Sequence, residues 1–423
     1  MSYKTVDKEL APSGISDKAV DGELPLSDIR VIDFGMGAIG PRISSYLADF
    51  GAEVIKVESH STLDFVRELY KVDETQDPDR SVHFVRYNQN KHSILINLKE
   101  AKGVELAKKL VAISDAVTQN FTLGVFERLG MGYEELRKVK PDIIMCSPSF
   151  GGETGPYRLF RGHGNHPAAL AGLNELFGWP DRAPLPANGA FGDHYLPFLW
   201  VTLLMAALEH RSRTGRGQFI DASSMEGCLD IMDTATADYW VNGRILKRQG
   251  NRHPAAAPHG VYRCQGEDRW CAITVFTDQE WQSFCRVLGN PAWTTKEKFA
   301  TITGRLKNVE ELDQLVEEWT REQTAEEVMS RLQEAGAAAS VVKNARDVYE
   351  DPQLLHREHF WECQEPGMEK FTFEAPSARL SETPARFQRP GPRLGEYNEY
   401  VFFKLLGIAR DEYDQLVKEK IIY

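Results

Sequence analysis

An α/β fold is predicted, with a Rossmann-like large domain on a parallel sheet and a smaller α+β domain. Three observations carry this. Ile29–Phe34 reads as an apolar strand, followed by a glycine-rich turn and a helix that passes Tyr46 and ends at Gly51, a residue suited to a helix C-cap. Val54-Ile55-Lys56-Val57-Glu58 follows at once as a second strand, and a βαβ start of this kind belongs to a parallel sheet. After Asp221 the pattern changes to a helical stretch, a loop and paired strands, which marks a second unit.

The elements follow in order. Strands are expected at 93–98, 116–120 and 143–147, and helices at 101–113, near Phe126 and at 133–139. Gly189-Ala190-Phe191-Gly192-Asp193 runs into an apolar helix ending near Arg213, and the turn 214–218 leads to a strand at Phe219–Ala222. Residues 223–248 read as helical, and 249–259 as a loop rich in Pro, Ala and Arg. Paired strands are expected at 261–264 and 270–273, with helices at 278–288, 308–322 and 325–335. A last helical region, 397–420, is expected to return to the first domain. The expected boundaries are a flexible leader at 1–25 and a large domain of 26–222 with 350–423. The small domain is 250–335, and 223–249 and 336–349 are linkers.

A chain of 423 residues with 42% hydrophobic and 26% charged residues is ordinary for a soluble globular protein with a large core. A net charge of −12 argues against a nucleic-acid partner. The longest apolar run, Leu196–Leu208, contains Pro197 and is too short for a bilayer span. Residues 1–23 are polar and carry no signal-peptide core. The six cysteines have no metal-ligand spacing, so reduced thiols in a cytoplasmic protein are expected.

Gly35-Met36-Gly37-Ala38-Ile39-Gly40 has the form of a dinucleotide fingerprint, with Glu58 ending the next strand. Asp33 would set a negative charge beside a pyrophosphate, and nothing else suggests hydride chemistry, so NAD is not expected. Asn88-Gln89-Asn90-Lys91, Asn97-Leu98-Lys99, Asn120-Phe121 and Arg128 read either as solvated surface or as the supply of amides and cations for a polyphosphate nucleotide. His163-x-x-His166 and His356-x-x-His359 have helical metal spacing but no third ligand nearby, so no metal is expected. Asp193 has two readings. It caps the helix that begins there, or it is a shielded carboxylate, kept ionised by the helix terminus, that attacks an activated acyl group. His163 is either structural or the acid/base partner of that carboxylate.

Taken together, these segments resemble the class III CoA-transferase family, the carnitine and bile-acid CoA-transferase group. The carrying residues are Gly40-Pro41, Gly51-Ala52-Glu53-Val54-Ile55-Lys56-Val57-Glu58, Asn88–Lys91, Asn120-Phe121, Arg128–Tyr133, Gly151–Pro156, Gly192-Asp193 and Thr214–Gln218. The resemblance implies Asp193 as the catalytic aspartate. It places Ala38, Ile39, Asn97, Lys99, Asn120, Phe121 and Arg128 against coenzyme A, the acyl-CoA substrate. It also implies Rossmann-like chains threaded through one another as an interlocked dimer, of two copies or with a paralogous subunit. Ala255–Gly260 replaces the glycine-rich lid of some members. With His259, Trp270 and Phe276 this segment looks like members that handle bulky or aromatic acids, such as benzylsuccinate CoA-transferase subunits. The resemblance leaves two other roles open. One is an acyl-CoA racemase using His163 and Asp193, and the other is a non-catalytic partner subunit.

Overall fold

The computed structural model describes residues 23–69, 71, 77–187, 190–364 and 369–423. Most of the expected leader and Gly189 of the motif lie outside these residues. The chain divides into two compact units. Unit 1 takes in residues up to Leu173, Pro186–Ala237 and Glu358–Tyr423, and unit 2 is Asn174–Leu185 with Asp238–Arg357.

In unit 1, six strands form one parallel sheet. They are β1 (Arg30–Asp33), β2 (Glu53–Glu58), β3 (His92–Leu95), β4 (Ala116–Thr118), β5 (Ile144–Ser149) and β6 (Phe219–Ser223), in the order β3-β2-β1-β4-β5-β6. This is the doubly wound order, and its direction reverses between β1 and β4, where such sheets open a crevice at their carboxyl ends. Helices α1 (Ile39–Asp49), α2 (Val82–Tyr87), α3 (Ala101–Ala112), α4 (Val125–Arg128) and α5 (Tyr133–Val139) connect the first five strands. Next come α6 (Asn165–Leu170), α7 (Leu173–Leu176), α8 (Phe191–Thr214), α9 (Ser224–Asp230) and α10 (Asp233–Asn242), of which α7 and α10 run across the chain divisions after Leu173 and Ala237. The single helical stretch expected over 223–248 is therefore two helices, ending at Asn242.

One face of the sheet packs Ile32, Ile55 and Val117 against α3 residues Leu106 and Leu110, and against Val401 and Phe402 of the returning C-terminal segment. The other packs Val31 and Val54 against Ile43 and Leu47 of α1 and against Leu196, Trp200 and Leu204 of α8. Beyond the apolar run seen in sequence, α8 extends to 24 residues and is long and apolar enough, by length and composition, to cross a membrane. Its buried stripe against α1 is what a core helix of a globular unit presents.

Asn88–Lys91, expected at the surface or at a phosphate, is buried throughout and holds the fold together. Lys91 Nζ donates to Asp33 Oδ2 (2.9 Å), Pro41 O (2.7 Å) and Asn88 Oδ1 (2.9 Å). Asn90 donates to Asp49 Oδ1 and Arg386 O and accepts from the Gln388 and Arg389 amides, tying the C-terminal segment to α1. Burial alone would raise the Asp33 carboxyl, but the Lys91 and Lys56 ammonium groups with the Lys91 and Ser44 hydrogen bonds hold it at about 2. Lys91→Met is expected to leave that carboxylate buried and short of a partner, at a cost of about 3–5 kcal/mol. Urea unfolding checks this, and Asp33→Asn added to Lys91→Met should recover part of the loss.

Unit 2 is built on an antiparallel sheet, β7 (His259–Arg263), β8 (Trp270–Thr274) and β9 (Ala338–Val341). Phe284, Leu312, Val316 and Leu332 pack in its core. Capping boxes at Thr277/Glu280 and Thr324/Glu327 start the helices Asp278–Val287 and Ala325–Glu334. Because β9 pairs with β8, residues 336–349 are not a linker. Residues 174–185, placed with the large domain from sequence, also belong to this unit. In unit 1 a hairpin that the sequence reading left unassigned pairs β10 (Phe360–Cys363) with β11 (Phe371–Glu374).

Candidate active site

The glycine-rich turn after β1 is tight because two of its glycines touch. A Cβ on Gly35 would lie 2.9 Å from the Gly40 carbonyl carbon, and one on Gly40 would lie 2.9 Å from Gly35 Cα. Gly37 takes a left-handed φ of +76°, which only glycine adopts at little cost. The amides of this turn are already engaged. Gly35 N–H donates to Asp33 Oδ1, Met36 N–H to Asn120 Oδ1 and Gly37 N–H to Asp64 Oδ1. Those three donors are not open to a pyrophosphate. Nor is Glu58 open to a ribose, since Arg67 grips both of its oxygens and Ser93 donates to one of them. The dinucleotide form of the sequence is thus built as a self-satisfied turn.

Two cavities open at the carboxyl end of the sheet. The smaller, of about 300 Å³, is lined by Met36, Lys56, Asn97, Lys99 and Phe121 among others, and the larger, of about 530 Å³, by Met36, Ala38, Ile39, Asn120, Phe121, His163 and Asp193 among others. Met36 and Phe121 belong to both. The structure therefore brings Asp193, His163, Ala38, Ile39, Asn120 and Phe121 to one cavity, and Asn97 and Lys99 to its neighbour.

The expected contact residues differ in how they are held. Asn120 lines the cavity, but its amide both accepts from and donates to the Met36 backbone, so it clamps the turn. Arg128 is exposed on α4 and lines neither cavity. Of the two lysines in the smaller cavity, Lys56 is fully buried and spent on Gly35 O (2.7 Å) and Asp64 (3.3 Å). Lys99 is exposed, with its ammonium 3.4 Å from Ser61 O. His259 lies in unit 2 at the start of β7, where its Nδ1 is 2.6 Å from Asn251 O.

Asp193 lies in the first turn of α8 but does not cap it. The N-cap is Ala190, which offers no side-chain acceptor. Pro197, four residues on, has no N–H to give the Asp193 carbonyl. The carboxylate instead accepts a hydrogen bond from the Gly164 amide and feels the nearby His163. Burial is the largest influence, and against those two weaker ones it lifts the Asp193 carboxyl to about 6. The expectation that the helix terminus keeps it ionised is thus reversed at acid pH: desolvation outweighs the dipole. A carboxyl of this kind is still largely ionised at neutral pH, yet poorly hydrated, which suits a nucleophile. Sequence reasoning passed over Arg158, Arg161 and Met36, which also line this cavity. Arg161 was in view only as part of the segment before His163.

A profile of CoA-transferase family III matches residues 26–398. A succinyl-CoA–D-citramalate CoA-transferase of Chloroflexus aurantiacus is 33% identical over 398 residues, 94% of this chain and 98% of that protein. A succinyl-CoA–L-malate CoA-transferase alpha subunit of the same organism is 33% identical over 95% of this chain and 93% of its own. Among solved structures, a CAIB/BAIF family protein from Brucella suis superposes with a TM-score of 0.83 at 29% identity, covering 91% of this chain and all of that one. The fold, the paired cavities with their half-buried aspartate and these matches lead to one conclusion: the chain belongs to CoA-transferase family III.

Proposed function

We propose that this chain moves coenzyme A from succinyl-CoA to a short hydroxy-dicarboxylic acid through covalent intermediates on Asp193. The observation that carries the reading is a half-desolvated carboxylate in a cavity that shares Met36 and Phe121 with a second, lysine-bearing cavity. The nucleotide of CoA occupies the smaller cavity near Lys99, the pantetheine arm crosses Met36 and Phe121, and the thioester reaches Asp193. The relatives named for citramalate and malate support a dicarboxylic acceptor over the bulky or aromatic acid expected from residues 255–276.

In the proposed sequence the Asp193 carboxylate attacks the thioester carbonyl, the C–S bond breaks, and CoA leaves as thiolate from a mixed anhydride. The thiolate then attacks the aspartyl carbonyl and expels succinate, giving an aspartyl-CoA thioester. The acceptor carboxylate attacks that carbonyl and releases the thiolate, leaving a second anhydride. Attack of the thiolate on the acceptor's acyl carbon forms the new thioester and restores the Asp193 carboxylate. No net proton or water is consumed. First-turn amides of α8, left without a side-chain cap, would serve the developing oxyanions, and water must stay out because it would hydrolyse the anhydrides.

His163 shares the cavity with Asp193, the pairing an α-proton exchange would use. Incubating purified protein with succinyl-CoA and malate in deuterium oxide separates the two chemistries. Malyl-CoA without deuterium at the α-carbon supports transfer, whereas α-deuterated acyl-CoA without exchange of CoA between acids supports racemisation.

The assembly proposed is an interlocked dimer of two copies. No residue of α10 is buried, Trp240 is 87% exposed, and Tyr195, Phe198 and Leu203 of α8 are exposed apolar side chains. Exposed apolar helix faces of this extent call for a covering chain. Light scattering should give twice the 47.8 kDa chain mass, and a monomer that stays active would contradict the dimer.

A further inference from the structure

We propose that Arg158 and Arg161 hold the second carboxylate of a dicarboxylic acyl group while its other end meets Asp193. This rests on the transfer reading above and adds the residues that select the substrate. Both arginines line the larger cavity, and Asp193 is the only acid among its described lining residues. Neither guanidinium has an ion-pair or hydrogen-bond partner among the described residues. By contrast, Arg67 is committed to Glu58 and Asp79, and Arg211 to Asp115. Arginine keeps its charge at any working pH, and its planar fork matches a carboxylate with two parallel hydrogen bonds.

The spacing suits a short diacid. Gly164, whose amide donates to Asp193, follows Arg161 by three residues, so the two Cα atoms are at most about 11 Å apart. An extended arginine side chain covers much of that span, and a four- or five-carbon diacid bridges the rest. The segment is also braced. Phe160, between the two arginines in sequence, stacks on Tyr157 with ring centroids 4.6 Å apart and packs near Phe150 at 6.2 Å. A monocarboxylic acyl group of equal length would leave both guanidinium groups without an anion, so the pair discriminates by charge as well as by size.

The test compares succinyl-CoA with butyryl-CoA as donors, reading the rate at which each forms a hydroxylamine-trappable adduct on Asp193. Wild type, Arg158→Gln, Arg161→Gln and Arg161→Lys are compared by their succinyl-to-butyryl ratio. A ratio taken within one protein does not depend on how much of it is folded. Wild type should favour succinyl-CoA strongly, and each glutamine variant should lower the ratio about 10- to 100-fold, the worth of a charge-assisted pair. Arg161→Lys, which keeps charge and loses the fork, should fall between. A ratio unchanged in both glutamine variants, or no preference in wild type, overturns the assignment. Absence of any adduct on wild type with either ester overturns the reading of covalent transfer through Asp193, and that failure is read before any arginine is changed.

Discussion

Asp193→Ala is expected to lower CoA transfer by about 10⁴-fold or more, the scale on which removal of a covalent nucleophile acts. The loss should fall on kcat, because the cavities proposed to hold CoA remain. Asp193→Asn keeps the shape and should be as inactive. Wild type should also show a pH signature. With the Asp193 carboxyl at about 6 in the free protein, kcat/KM should drop roughly tenfold per unit below pH 6 as the nucleophile is protonated.

Stability should move in the opposite sense. A carboxyl whose folded value is raised from 3.8 to about 6 binds its proton more tightly in the folded state. The associated stability is complete below pH 3.8 and is lost as pH rises through 6. Asp193→Asn should therefore stabilise the fold at pH 8, by at most about 3 kcal/mol and less because the side chain is partly exposed. At pH 4 it should change little. Paired urea titrations at the two pH values check the sign. A more stable and inactive variant is the trade expected where a charge is held out of water for chemistry.

The second large effect is expected at Gly164→Ala. A Cβ there would lie 2.4 Å from Ala190 Cβ, 2.6 Å from Ala190 Cα and 2.8 Å from Asp193 Oδ2. Two of these contacts lie in the approach to α8 and the third is the Asp193 carboxylate itself, so the Gly164 loop and Asp193 must part. The same movement stretches the Gly164 amide bond to the carboxylate. A displacement near 1 Å costs on the order of 10²-fold in rate, and overpacking adds about 1–3 kcal/mol of destabilisation. Turnover measured beside urea unfolding separates the two. A variant with unchanged turnover would show that Gly164 does not position Asp193.

The parallel sheet and most of its helices are legible in the sequence because apolar strands alternate with amphipathic helices between glycine turns. Asp193 is legible for the same local reason, a lone acid after glycine at the head of an apolar helix. What fails is whatever depends on distant residues. Asn88–Lys91 looks like surface, but Asp33 on β1 and Arg386 of the returning chain bury it. Asn120 reads as a contact for CoA, and the match of its amide to Met36, 84 residues earlier, leaves no local trace. The strand at Ala338–Val341 is four residues long and alternates exposed with buried positions, too short a pattern to stand out. Arg158 and Arg161 carry no local signal either. Their proposed role comes from the cavity that collects them and from the lack of an ion-pair partner among the described residues.

The first measurement to make is intact-protein mass spectrometry after incubation with succinyl-CoA and hydroxylamine, on wild type and Asp193→Ala. Hydroxylamine converts an activated aspartyl carbonyl to a hydroxamate, a small and stable gain in mass. A gain on wild type, mapped to Asp193 and missing from the alanine variant, is the expected result. An equal gain on both proteins, or none on a wild type that still transfers CoA, would contradict covalent catalysis by Asp193.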